Sequence, residues 1–118
     1  GQRLLRRVCD SCKGPYTPGA DELAVFRQNS GGSEKSTFYR GAGCNFCAGT
    51  GYRDRIGVYE LLRITPELRR LLVGWATTEE PRRLAVAQGM PTMLREAMAL
   101  VENDVTTIPE VVKTLFAS

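Results

Sequence analysis

The rhythm of apolar and polar positions changes near residue 63. Before it, apolar residues come in short bursts separated by glycine, proline and small polar residues; after it, they recur at helical spacing. Residues 2–8 have one apolar centre, Leu4-Leu5, set between arginines, and fit a strand or a short helix. Residues 9–18 (Cys-Asp-Ser-Cys-Lys-Gly-Pro-Tyr-Thr-Pro) are rich in turn formers and read as a turn. A short helix is expected over 20–27, with Leu23 and Phe26 three apart. The polar run 28–37 reads as an exposed, mobile loop by composition. Phe38-Tyr39-Arg40 suggests a short strand, followed by a glycine-rich turn through Gly51. Residues 56–62, with β-branched and aromatic side chains, read as another strand.

The second half carries helix punctuation. Thr65-Pro66 supplies an N-cap with proline at the first helical position, and Leu68, Leu71, Leu72 and Trp75 then line one face. Thr78 caps a second helix, because Pro81 then falls where a missing N–H costs little, and Gly89 ends it. A third helix begins near Thr92, places Leu94, Ala97, Met98 and Val101 together, and stops around Asn103-Asp104, two residues that tolerate left-handed backbone. Thr107-Ile-Pro-Glu110 forms a capping box opening a fourth helix that buries Val111, Val112 and Leu115. The expected fold is α+β: a small four-cysteine module with short strands over 1–62, then a four-helix C-terminal subdomain over 63–118.

The chain has 118 residues, enough for one compact domain or two small ones sharing a core. Burial at this size is modest, so an added cross-link matters. Its net charge of +3, from sixteen basic and thirteen acidic residues, does not mark a nucleic-acid binder or a membrane-surface protein. No apolar run approaches a membrane span, so direct membrane insertion is not expected. The chain opens on Gly-Gln-Arg-Leu-Leu-Arg-Arg without methionine and reads as a piece of something longer. Histidine is absent, which removes histidine acid–base chemistry, Ser/His and Cys/His nucleophile pairs, and mixed Cys/His metal sites.

What remains are four cysteines in two Cys-x-x-Cys pairs, Cys9/Cys12 and Cys44/Cys47. Each pair brings two thiolates within reach of one ion, and two pairs complete a closed tetrahedron with no open position for substrate. A glycine follows two residues after each pair, Gly14 and Gly49, where positive φ would wrap the chain behind the second sulfur. Four thiolates on one Zn²⁺ carry about −2 net charge, which Arg7, Lys13 and Arg53 could offset. Disulfides would need an oxidising compartment, and nothing in the sequence signals secretion. A thioredoxin-like redox pair would need only one Cys-x-x-Cys. The site therefore reads as structural zinc, with no catalytic residues.

The stretch Gly43-Cys-Asn-Phe-Cys-Ala-Gly-Thr-Gly-Tyr-Arg-Asp-Arg-Ile-Gly-Val-Tyr-Glu60 resembles the C-terminal part of the type II secretion and type IV pilus assembly ATPases. That family carries Gly-Cys-x-x-Cys-x-Gly-Thr-Gly-Tyr-x-Gly-Arg-x-Gly-x-Tyr-Glu. Gln2-Arg-Leu-Leu-Arg-Arg-Val-Cys-Asp-Ser-Cys-Lys13 is similar to its approach to the first cysteine pair, and Gly89-Met90, Leu94-Arg95-Glu96 and Val105-Thr-Thr-Ile-Pro-Glu-Val111 match its helical tail. Asp54 and Asp104 stand where the family usually has glycine. The resemblance implies a non-catalytic piece of a hexameric cytoplasmic motor, peripheral to the inner membrane. ATP and Mg²⁺ would bind upstream, since no Gly-x-x-x-x-Gly-Lys-Ser/Thr loop occurs here. Its partners would be the rest of the parent ATPase, neighbouring subunits and an inner-membrane platform protein.

Arg3, Arg6, Arg7, Arg53 and Arg55 read first as a solvated or zinc-compensating surface, and second as partner contacts. Arg69-Arg70 and Arg82-Arg83 read as solvent-facing helix positions, and Trp75 as packing. Tyr59-Glu60 lacks the second carboxylate of an acid–base pair. Phe46, between the second pair of cysteines, is expected to point outward as a docking candidate. The alternative function is a free-standing zinc-ribbon nucleic-acid-binding module, which would want a concentrated basic face with stacking aromatics. A chaperone-type zinc module would need four repeats of a pattern complete here only once.

Overall fold

The computed structural model describes residues 2–60 and 92–116, together with Pro66, Arg69 and Arg70. The expected helices beginning at Thr65 and Thr78, with Trp75 and Arg82-Arg83, fall largely outside these residues; Pro66, Arg69 and Arg70 are helical and exposed.

Two antiparallel ribbons form the β part. Strand β1 (Gln2–Val8) pairs with β4 (Tyr52–Tyr59), aligning Leu5 with Ile56 and Arg3 with Val58. The strand alternative for residues 2–8 is the one adopted: Leu5 is buried while its neighbour Leu4 stays half exposed, and Val8 is buried out of phase with Leu5. The register slips between Arg6 and Val8. This bulge lets one strand carry an extra residue and bend towards the cysteines. The second ribbon joins β2 (Lys13–Tyr16) to β3 (Phe38–Gly41). Helix α1 (Ala20–Asn29) connects its two strands and brings Phe26 edge-on to Phe38, ring centroids 5.1 Å apart. After a 3₁₀ turn at Asn45–Cys47 and strand β4, helices α2 (Met93–Glu102) and α3 (Ile108–Leu115) complete the described chain.

Among the described residues the α+β class holds, with three α-helices in all rather than a four-helix tail. Of these three, α2 and α3 follow the strands and α1 lies inside the first segment. One core joins Leu5, Phe26, Phe38 and Val58 to Ala97, Met98, Val101, Ile108 and Val111. The apolar face read for the third expected helix is therefore the face that packs, with Leu94 at its edge.

Other expectations shift locally. The turn read over 9–18 gives way at Lys13 to β2, which pairs with β3 despite Gly14 and Pro15. Proline is tolerated there because an edge strand needs only one set of bonds. The strand read over 56–62 begins earlier, at Tyr52, because β4 starts directly behind the second cysteine turn. The loop expected to be mobile is tied down: Arg27 donates to the Ser33 carbonyl at 2.6 Å, the Ser33 hydroxyl bonds Glu102, and Lys35 pairs with Asp104 at 2.8 Å.

Candidate metal centre

The four sulfurs converge where the two ribbons meet. Cys9 follows β1, Cys12 precedes β2, Cys44 caps the 3₁₀ turn before β4 and Cys47 is its last residue. Their Sγ atoms all lie within 4.8 Å of one another. Cys9–Cys44 and Cys12–Cys47 are 3.8 Å apart, and Cys44–Cys47 3.6 Å. A disulfide needs about 2.05 Å, so these are four free thiols. A tetrahedron of sulfurs about 2.3 Å from a central ion has edges of about 3.8 Å, so the donor set fits one metal ion.

Backbone geometry holds the sulfurs in place. The Gly43 N–H points at Cys12 Sγ (3.3 Å), while the N–H groups of Cys44 and Gly51 point at Cys47 Sγ (both 3.2 Å). Cys9 is fully buried and Cys47 nearly so, whereas Cys12 and Cys44 are partly open. Burial pushes the Cys12 thiol up, the Gly43 N–H pulls it down, and the three neighbouring thiols leave it raised to about 11. Burial also pushes Cys47 up, but the Gly51 and Cys44 N–H groups, with the Cys44 and Cys12 thiols, bring it down to about 6. A cation at the centre would favour the thiolate form of Cys12 against this burial.

The glycines divide in role. Gly49 has the expected positive φ, 78°, just after Ala48 at 54°. Gly14 does not; it lies extended in β2, so the first pair turns without it. The close approach comes instead at Gly41 and Gly51: a Cβ on Gly41 would sit 2.2 Å from the Gly51 carbonyl oxygen. Only glycine lets the two ribbons touch there. Phe46 is 71% exposed, as expected of a residue between two inward cysteines.

Sequence reading missed the contacts beside this centre. Arg6 is not simply solvated surface. Its Nε and Nη2 donate to Oε1 of Glu110 at 3.1 and 3.0 Å, and its guanidinium stacks 4.1 Å from the Tyr52 ring centre. Glu110, read as half of a capping box, is 4% exposed and turns to Arg6, including its backbone N–H at 2.8 Å. Thr107 does cap α3, accepting from the Glu110 N–H at 3.2 Å, and its hydroxyl also bonds the Tyr52 hydroxyl at 2.7 Å. An acidic residue between buried Ile108 and Val111 was the available signal. Arg3, Arg7, Lys13, Arg53 and Arg55 are exposed.

Fold and cysteine geometry define a small α+β module built around a cluster of four thiols that could hold one metal ion. The family model of the type II/IV secretion system proteins matches residues 1–113, and the chain belongs to that family. It is 33% identical over 110 residues to the type IV pilus assembly ATPase PilB of Thermus thermophilus, covering 93% of this chain and 12% of that protein. It is 34% identical over 112 residues to the type II secretion system protein E of Pseudomonas aeruginosa, covering 95% and 22%. PilB of Myxococcus xanthus is 32% identical over 113 residues, covering 94% and 20%. The chain thus spans roughly an eighth to a fifth of the length of these curated relatives. Among the described residues no helix is long and apolar enough to cross a membrane.

Proposed function

We propose that this chain is the non-catalytic, zinc-binding C-terminal domain of a motor ATPase that drives type II secretion or type IV pilus assembly. Cys9, Cys12, Cys44 and Cys47 are the ligands of one structural Zn²⁺ in this reading. The observation that carries it is the clustering of the four sulfurs within 4.8 Å of one another, with three separations of 3.6 to 3.8 Å, close to the edge of a thiolate tetrahedron around one ion. The family match supports the motor assignment. A closed thiolate site offers no position for substrate, and the sequence lacks a phosphate-binding loop. ATP and Mg²⁺ are accordingly placed in an upstream part of the parent protein.

The segments 1–62 and 63–118 work as one rigid appendage in this reading, because their apolar side chains share a core. That appendage passes ATP-driven subunit movement in a cytoplasmic hexamer to an inner-membrane platform protein. Metal content tests the ligand set. Elemental analysis of chain purified without chelators is expected to give one zinc per chain, lost in a Cys44→Ser, Cys47→Ser double variant. Absence of bound metal, or covalent pairing of the sulfurs, would overturn it. ATP turnover that tracks the purified chain would overturn the non-catalytic assignment.

A further inference from the structure

The segment 105–110 lies along the outer edge of β1 and takes the place of a third strand. The Val8 N–H donates to the Val105 carbonyl at 2.8 Å. The Thr106 hydroxyl donates to the Arg6 carbonyl at 2.8 Å, and the Glu110 carboxylate accepts the Arg6 N–H. The edge groups of Arg6 and Val8 are thus satisfied by the chain entering α3, two of the three bonds through side chains. Thr106, Thr107 and Glu110 are each at most 4% exposed, so these bonds are shielded from water.

The same strand end runs straight into the cysteines. Directly after Val8, the Cys9 N–H donates to the Gly51 carbonyl at 2.9 Å, and the Gly51 N–H points at Cys47 Sγ. Gly51 therefore touches both cysteine turns. Its neighbour Tyr52 holds the cap of α3 through Thr107 and carries the Arg6 guanidinium on its ring. A continuous path runs from the Cys9 backbone and the Cys47 sulfur through Gly51, Tyr52 and Arg6 to Thr107 and Glu110 at the start of α3.

We infer that Arg6, Tyr52, Thr107 and Glu110 form a joint through which occupancy of the four-cysteine centre sets the stability of helix α3. This rests on the metal-binding reading above. An ion that fixes Cys9 and Cys47 fixes the end of β1 and the start of β4, which present Arg6 and Tyr52. Without it, those two residues are free to part, and Glu110 is left as a buried charge with a displaced partner. Coupling is reciprocal: if the ion stabilises α3, an intact α3 joint strengthens ion binding by the same factor. Glu110 is here a positioning residue, acting on the centre through Arg6.

The test uses the full chain, loaded with Zn²⁺ or stripped by chelator, with metal content checked by elemental analysis. Hydrogen exchange of 105–115 is expected to rise at least tenfold on stripping, while α1, which makes none of these bonds, changes far less. In competition with a chromogenic chelator, Glu110→Gln is expected to bind Zn²⁺ about tenfold more weakly than wild type. Val111→Ala, a core change on the same helix that leaves the bonds of the joint in place, is expected to weaken zinc binding clearly less than Glu110→Gln does. The inference is overturned if stripping leaves α3 protected, if α1 and α3 lose protection equally, or if Val111→Ala weakens zinc as much as Glu110→Gln. Should Glu110→Gln fail to fold, Tyr52→Phe, which removes only the hydroxyl bond, is expected to give a smaller loss of affinity in the same direction; unchanged affinity overturns the inference. A chain that takes up no zinc fails the metal-binding reading itself, which elemental analysis shows separately.

Discussion

Asp54 sits at φ 62° within β4, beside the register slip between Arg6 and Val8. A residue in this left-handed region pays for the crowding of its Cβ, and aspartate tolerates that better than branched side chains. Asp104 adopts the same φ, 62°, after α2, and there the side chain is also useful because it pairs with Lys35. Asp54 is exposed, so its backbone geometry dominates. Asp54→Val is therefore expected to lower stability by about 2 kcal/mol, whereas Asp54→Gly should hold or raise it. Urea unfolding of the zinc-loaded chain measures both; equal stability of the two variants would remove the strain argument. These are the two positions where the resembling family usually carries glycine, and both need the conformation glycine supplies.

Helices α2 and α3 start alike but are anchored differently. Thr92 accepts from the Arg95 N–H at 3.1 Å and does the ordinary work of an N-cap. Thr107 does this too, but is 2% exposed and also bonds the Tyr52 hydroxyl. Thr92→Ala should cost about 1 kcal/mol, and Thr107→Ala about 2 kcal/mol because a buried hydroxyl loses its partner as well. Denaturant titration of both variants checks the difference; equal losses would mean that the Tyr52 bond contributes nothing. Both caps were legible from local sequence, as was α1, because capping and helical period are short-range signals. The cysteine cluster was legible for a similar reason: each pair is a local turn, and the chemistry of sulfur joins the two. Strand β2 was not legible, since Lys13-Gly-Pro-Tyr16 has poor strand propensity and is held by pairing with Phe38–Gly41. Nor was the role of Arg6, whose partner Glu110 lies 104 residues away and resembles an ordinary capping residue.

At the scale of the molecule, the proposed metal site and an apolar core hold the chain together. The cysteines join the ribbon ends, and the apolar cluster joins the ribbons to α2 and α3. These differ in reach. The four cysteines all lie within residues 9–47, so a piece ending at residue 62 contains the proposed metal site entire. The core does not divide this way: Leu5, Phe26, Phe38 and Val58 bury themselves against Ala97, Met98, Val101, Ile108 and Val111. Removing the second group would return the first to water at about 25 cal/mol per Å² of apolar surface, several kcal/mol for four large side chains. That is comparable with the whole stability of a small domain. A 1–62 piece is therefore expected to bind zinc while melting without a cooperative transition and binding an apolar dye. The 1–118 chain should melt in one step with little dye bound. Calorimetry and dye fluorescence on the two zinc-loaded chains make the comparison. A cooperative, dye-free melt of the 1–62 piece would show that the metal alone organises the N-terminal half and that the shared core is dispensable to it.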